Sequence, residues 1–181
     1  DTKFVFHMIP AGIMHPDKVC VVGNGVVLDP EAMIAEIEEL AGKGISSEGR
    51  LFLSENAHVV MPYHKEHDGA MEEMLARSVG QGDENLSIGT TRRGIGPTYA
   101  DKVYRSLAIR MGDLLDADVL RQRLDIVCTI RTRELEALGV QASPLDPAAL
   151  TETYFALGQQ LAPYVTDTVY ALHDAVSDGQ R

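Results

Sequence analysis

Three shortages in the sequence each argue against a class of protein. Tryptophan is missing, and only two cysteines, Cys20 and Cys128, occur among 181 residues, far apart and without a CxxC or Cys/His motif. This spacing argues against a disulfide framework or a zinc site and favours a reducing, cytoplasmic location. No apolar run approaches the roughly 20 residues that a membrane-spanning helix needs, so the sequence predicts no membrane protein.

Positive charge is also scarce, except in one stretch. Lys and Arg total 16 against 27 Asp and Glu, a formal charge of −11 that argues against nucleic acid as a partner. Residues 86–110 nevertheless carry five basic side chains against one acid, Asp101. A cationic island in an acidic chain favours an anionic ligand. A surface loop followed by a solvated basic helix face explains the same composition, and composition leaves the two readings open. The five cations of this island are Arg92, Arg93, Lys102, Arg105 and Arg110.

The first half of the chain alternates strand and helix signals. Apolar, β-branched runs at 19–22, 26–28 and 50–54 predict strands buried on both faces, and a further strand is expected over 3–9. Asp29 followed by Pro30 predicts a helix start, because Asp caps helices and Pro suits their first turn. This order predicts an α/β fold with a partial parallel sheet and flanking helices.

The second half reads as helical after a Gly-rich loop. Helices are expected over 99–111, 117–138 and 147–176. The predicted organisation is an α/β segment (1–80), a mobile Gly-rich substrate-phosphate loop (81–98) and a helical subdomain (99–181). In the loop, Gly89, Gly94 and Gly96 free the backbone to approach an anion, and the hydroxyls of Thr90 and Thr91 add donors.

Other polar residues have weaker claims to a function. His64, His67 and Asp68 stand at helical spacing and could form part of a metal site, but no further ligand is evident. Asn24 lies between two glycines and suits either a ligand edge of an α/β sheet or, more simply, a tight turn that needs permissive backbone angles. A run of acids is expected to form a solvated helix face, namely Glu31, Glu36, Glu38 and Glu39.

Four blocks, in order, closely resemble the adenylosuccinate synthetase family. They are HMIPAGIMH (7–15), VVGNGVVLDP (21–30), RLFLSENAHVVMPYHKEHD (50–68) and the stretch from IGTTRRGIGPTY (88–99) through DKVYR (101–105) to RMGDL (110–114). Together they cover about residues 3–115. The GTTRRGIGP block is the most specific of the four, and the helical tail is much less so.

The resemblance implies a GTP- and Mg²⁺-dependent, homodimeric, cytoplasmic ligase of purine biosynthesis with a P-loop NTPase-like core. GTP would phosphorylate the 6-oxygen of IMP, and the amine of L-aspartate would displace that phosphate to give adenylosuccinate. By the same resemblance, Thr91 matches the threonine that binds the IMP 5′-phosphate. Arg105 matches the arginine that reaches IMP in trans across the dimer interface.

The resemblance also implies what this chain lacks. The family's glycine-rich GTP loop, catalytic aspartate and catalytic histidine should precede these blocks, and its remaining IMP, aspartate and guanine motifs should follow them. We therefore expect an internal, truncated piece of the enzyme that has no catalytic or metal-binding residue of its own and is inactive alone. The alternatives are a non-catalytic phosphate- or nucleotide-binding module and a helical interaction protein with a Gly-rich linker.

Overall fold

The computed structural model describes residues 6–78, 89, 91–140 and 144–179. Its strands are short and parallel. A three-stranded sheet has the order β1-β3-β5, and a separate pair joins β2 to β4. Their bounds are β1 Cys20–Val22, β2 Val27–Leu28, β3 Leu51–Ser54, β4 His58–Val59 and β5 Val165–Thr166.

The α/β prediction for the first half is confirmed. β1 pairs with β3 from Cys20 opposite Leu51 to Val22 opposite Leu53, and β2 pairs with β4. Helix α1, Pro30–Gly42, separates β2 from β3 in sequence. It begins where the sequence predicts, because the Asp29 carboxylate accepts hydrogen bonds from the backbone N–H groups of Glu31 and Ala32.

The chain before β1 contains no strand within residues 6–19, and residues 3–5 of the strand expected over 3–9 lie outside the described part. A short 3-10 helix, Ala11–Met14, precedes β1. The Glu36 carboxylate of α1 accepts the backbone N–H groups of His7, Met8 and Ile9 at 3.0–3.3 Å. The prediction that Glu36 belongs to a solvated face is therefore wrong, because this carboxylate satisfies backbone donors that no strand partner satisfies.

Helix α2, Pro62–Ser78, and helix α3, Ile95–Tyr104, flank the predicted loop. Helix α3 begins earlier than expected, so Gly96 and Pro97 lie in its first turn, where a missing N–H costs no intrahelical bond. It also ends earlier. The predicted helix over 99–111 breaks at Arg105, which has a φ of 61°, and a 3-10 helix follows at Met111–Leu115.

The remaining helices are α4 Ala117–Ala137, α5 Pro147–Leu161 and α6 Thr168–Ser177. The prediction for α4 holds, but the helix expected over 147–176 is interrupted. A 3-10 turn, Ala162–Tyr164, leads into β5, and β5 pairs with β3 through Val165 opposite Leu53. The segment predicted to be purely helical thus completes the three-stranded sheet. The division at 1–80, 81–98 and 99–181 stays a proposal, and residues 81–88 and 90 of the expected loop lie outside the described residues.

One hydrophobic core joins the strands to the helices of both halves. It includes Leu28 and Leu53 from strands, Met33 from α1, and Leu120 and Leu124 from α4, each fully buried. The two cysteines are buried in the same core and unpaired. Of the helices that the structure describes, none combines the length and apolarity needed to span a membrane.

Helix α5 approaches the 3-10 helix at 111–115 closely at a glycine. A Cβ on Gly158 would lie 2.3 Å from the backbone oxygen of Leu114. Because this oxygen belongs to the backbone, it cannot move away from the added Cβ as the end of a flexible side chain could. We expect Gly158→Ala to lower the free energy of unfolding of the full-length protein by about 1–3 kcal/mol, measured by urea denaturation.

The matched control is Gly69→Ala in α2, where nothing lies within 4 Å of the added Cβ. It should raise stability by up to about 1 kcal/mol, because alanine favours a helix over glycine. Equal effects of the two substitutions would contradict the close packing of α5.

Candidate functional site

The predicted loop enters α3 through Gly94, the residue that precedes the helix. Gly94 has a φ of 72°, and a Cβ there would lie 2.8 Å from the backbone carbon of His64, so only glycine fits. Its N–H donates to the Asp68 carboxylate at 3.1 Å, and the Gly89 N–H donates to the Glu72 carboxylate at 2.9 Å. The expectation that the backbone at Gly89, Gly94 and Gly96 is free for an anion is therefore corrected: carboxylates of α2 bind two of these N–H groups, and Gly96 lies within α3.

Thr91 and Arg105, the two predicted IMP residues, lie at opposite ends of α3. Thr91 is four residues before the first residue of α3, and Arg105 follows its last residue; both are exposed. The 10 residues of α3 span about 15 Å at 1.5 Å per residue. The two residues therefore flank a helix of this length at its opposite ends.

The cationic island remains partly unneutralised in the fold. Lys102 donates to the backbone oxygen of Asn24 at 2.9 Å, Arg110 donates to the Asn56 side chain at 3.1 Å, and Arg92 lies 3.7 Å from the Glu73 carboxylate. Among the described residues, Arg93 and Arg105 form no ion pair with an acid. These two guanidinium groups are therefore available to an external anion.

Asn24 lies in the turn between β1 and β2, and this turn is docked on α3. Its backbone oxygen accepts from Lys102, while the Tyr99 hydroxyl donates to the backbone oxygen of Gly25 at 2.9 Å. Neither Gly23 nor Gly25 has a positive φ, so the turn does not require the permissive angles expected of it. A ligand contact of Asn24 stays a prediction.

A buried polar cluster consists of four side chains: His64 (α2), Thr98 and Asp101 (α3) and Arg131 (α4). His64 Nε2 lies 2.8 Å from the Asp101 carboxylate, and both side chains are 1% exposed. The Arg131 guanidinium pairs with the other oxygen of the same carboxylate and with Glu134. Thr98 Oγ1 lies 3.0 Å from His64 Nδ1 and donates to the Gly94 carbonyl at 2.7 Å. Three helices therefore meet at one carboxylate.

The hydrogen bonds assign the tautomer of His64. Its Nδ1 accepts the backbone N–H of Met61 at 3.0 Å, so the proton of the neutral ring is on Nε2 and is donated to Asp101. Burial, with the nearby positive charge of Arg131, lowers the pKa of His64 to about 3. The Asp101 carboxylate is therefore balanced by Arg131, while His64 stays neutral.

This cluster revises the metal hypothesis for His64, His67 and Asp68. His64 is a buried structural group, and Asp68 binds the Gly94 N–H. Over 6–78, 89, 91–140 and 144–179, no group of three His, Cys, Asp or Glu side chains is placed to bind a metal ion. Sequence reasoning missed the roles of Asp101 and Arg131, although Asp101, the only acid in the basic stretch 86–110, was a usable signal.

Buried neutral histidines predict acid sensitivity. Burial is the main cause that lowers the pKa of His64 to about 3 and that of His58 to about 4, whereas unfolded histidine titrates near 6.5. Between pH 6.5 and 4 the unfolded state thus binds more protons, and stability falls as the pH falls. We expect the urea midpoint of the full-length protein to decrease over this range, and less steeply in His64→Gln.

The control for this pH series is His173→Gln, since His173 is 75% exposed on α6. This variant should retain the wild-type pH dependence. A His64→Gln profile parallel to that of the wild type would show that His64 does not titrate on unfolding.

Comparison with known proteins agrees with this architecture. The family model for adenylosuccinate synthetase matches residues 1–181. The adenylosuccinate synthetases of Salinibacter ruber and Lactococcus lactis subsp. cremoris are 47% and 43% identical over 179 residues. Each alignment covers 99% of this chain and 39% of the relative, so the chain spans about two fifths of the length of these relatives.

A solved structure shows the same fold. The fully ligated adenylosuccinate synthetase of Plasmodium falciparum superposes with a TM-score of 0.82 at 24% identity, over 99% of this chain and 39% of that one. The partial parallel sheet with flanking helices is thus the fold that this region adopts in a solved synthetase. Together with the family match over the whole chain, this establishes that the chain belongs to the adenylosuccinate synthetase family.

Proposed function

We propose that this chain forms the IMP-phosphate and dimer-contact region of an adenylosuccinate synthetase. The whole protein would be a cytoplasmic purine-biosynthetic ligase that joins IMP and L-aspartate at the expense of GTP. In this reaction the 6-oxygen of IMP is phosphorylated, and the aspartate amine then displaces the phosphate. The chain itself would supply binding and orientation of IMP, with Thr91 and Arg105 as its contacts.

The placement of Thr91 and Arg105 at the two ends of α3 carries this proposal. Both are exposed, and about 15 Å of helix lies between them, which favours their contact with two different phosphates. In a two-fold homodimer, Thr91 of each subunit would meet Arg105 of the partner subunit at one phosphate. The geometry thus supports the assignment of Arg105 in trans.

Each residue has a distinct chemical role in the proposal. The Thr91 hydroxyl would donate to a 5′-phosphate oxygen. The planar Arg105 guanidinium would add a charge-assisted contact that suits phosphate geometry. Such contacts contribute about 1.5–3 kcal/mol each. They would orient the base of IMP and take no part in the chemistry at its 6-oxygen.

Mg²⁺ and GTP belong to the proposed reaction, and no residue of the described ranges is assigned to either of them. Within the described ranges no three metal-binding side chains converge, and the sequence has no Gly-x-x-x-x-Gly-Lys motif followed by Ser or Thr. We therefore assign no residue here to the metal or to GTP. The proposal concerns the IMP side of the site.

Arg105→Ala in the full-length protein should raise the Kd for IMP about 10- to 150-fold, from the loss of a charge-assisted contact. The sharper test mixes inactive Arg105→Ala subunits with inactive Thr91→Ala subunits. If Arg105 acts in trans, each mixed dimer contains one intact site, and random exchange restores about a quarter of all sites. The measurement is GTP-dependent adenylosuccinate formation after subunit exchange.

Omitting subunit exchange provides the control, since separately folded homodimers should stay inactive when simply combined. Full IMP affinity in Arg105→Ala would remove Arg105 from the site. Absence of restored activity in the exchanged mixture would place both residues in the site of one chain, or outside it.

A further inference from the structure

We infer that Asp101 is a positioning residue that sets both ends of α3, and with them the Thr91 contact of one site and the Arg105 contact of the other. The inference rests on the proposed function of Thr91 and Arg105. It extends that function to the cluster of His64, Thr98, Asp101 and Arg131, all four of which are buried.

The first step is that Asp101 fixes α3 against two other helices. One carboxylate oxygen accepts from His64 Nε2 of α2, and the other pairs with Arg131 of α4. Asp101 is 1% exposed, so water cannot replace either partner. With both oxygens engaged in different directions, α3 can neither slide nor rotate without breaking a buried charged contact.

The second step leads from Asp101 to the N-terminal end of α3. The ring of His64 donates to Asp101 through Nε2, and the backbone of Gly94 packs directly on His64. Thr98 Oγ1 lies 3.0 Å from His64 Nδ1 and donates its one proton to the Gly94 carbonyl. Gly94 is three residues after Thr91, so the ring orientation of His64 fixes where the Thr91 segment leaves the helix.

The third step leads from Asp101 to the C-terminal end. The backbone oxygen of Asp101 accepts the N–H of Arg105 at 2.8 Å, the bond that ends α3. Arg105 has a φ of 61°, a value that non-glycine residues adopt only when neighbouring contacts enforce it. A shift of Asp101 therefore changes the direction in which the Arg105 side chain leaves the helix.

The test is Asp101→Asn in the full-length dimer, which keeps the shape of the side chain and removes its charge. We expect the KM for IMP to rise at least tenfold, while the KM values for GTP and aspartate stay within about twofold, because the proposed IMP contacts flank α3. A substitution that merely reduced the folded fraction would lower kcat and leave every KM unchanged. The control is Asp125→Asn on α4, which removes an exposed pair with Arg121 and should leave all constants unchanged.

Subunit exchange distinguishes a role of Asp101 at both ends of α3 from a role at one end only. In exchange with Thr91→Ala subunits, Asp101→Asn should restore no activity, because its own Thr91 is displaced. In exchange with Arg105→Ala subunits it should again restore none, because its own Arg105 is displaced. The mixture of Thr91→Ala with Arg105→Ala tests the proposed function separately, and its failure leaves the Asp101 kinetics interpretable on their own.

If Asp101→Asn does not fold, Thr98→Val provides the second variant. It removes only the hydroxyl between His64 and Gly94, and so should disturb the N-terminal end alone. We expect it to regain activity in exchange with Arg105→Ala subunits and not with Thr91→Ala subunits. Unchanged KM for IMP in Asp101→Asn, restored activity in either of its mixtures, or full activity of Thr98→Val would overturn the inference.

Discussion

The contact of the Asp101 carboxylate with Arg131 and His64 is the interaction on which the candidate site depends. It joins α2, α3 and α4 where the surrounding core is almost entirely apolar. A buried ion pair adds little net stability, because desolvation of both charges offsets their attraction. Loss of one partner costs about 3–5 kcal/mol, however, so the pair strongly selects the one arrangement of helices that satisfies it.

The cluster bears on the proposed function because α3 has exposed ends, next to the two proposed IMP contacts, and a buried middle. Its inner face carries Thr98 and Asp101, whereas Thr91 and Arg105 lie in solvent beyond its two ends. A helix of this length transmits position without bending, since its backbone hydrogen bonds are made internally. In the proposed dimer, this rigidity holds the Thr91 contact of one site and the Arg105 contact of the other at a fixed separation.

Much of this fold follows from local sequence signals. The parts that could not be predicted depend on contacts between residues far apart in the sequence. Helix α1 and strand β3 were predictable, because a capping Asp29 and a continuous apolar run act locally. Strand β5 was not, since its two residues stand among helical signals and pair only through distant Leu53. The resemblance to the family predicted Thr91 and Arg105 as IMP contacts, but the contact of Asp101 with Arg131 spans 30 residues and has no local signature. His64 resembled a metal ligand because spacing along a helix does not reveal what faces it.

The most direct test of this account is a crystal structure of the full-length protein with IMP bound. The account predicts that the 5′-phosphate lies within hydrogen-bond distance of Thr91 of one subunit and of Arg105 of the partner subunit. It also predicts that the Asp101 carboxylate keeps its contacts with His64 and Arg131. A phosphate bound by Thr91 and Arg105 of the same chain, or bound away from both ends of α3, would contradict it.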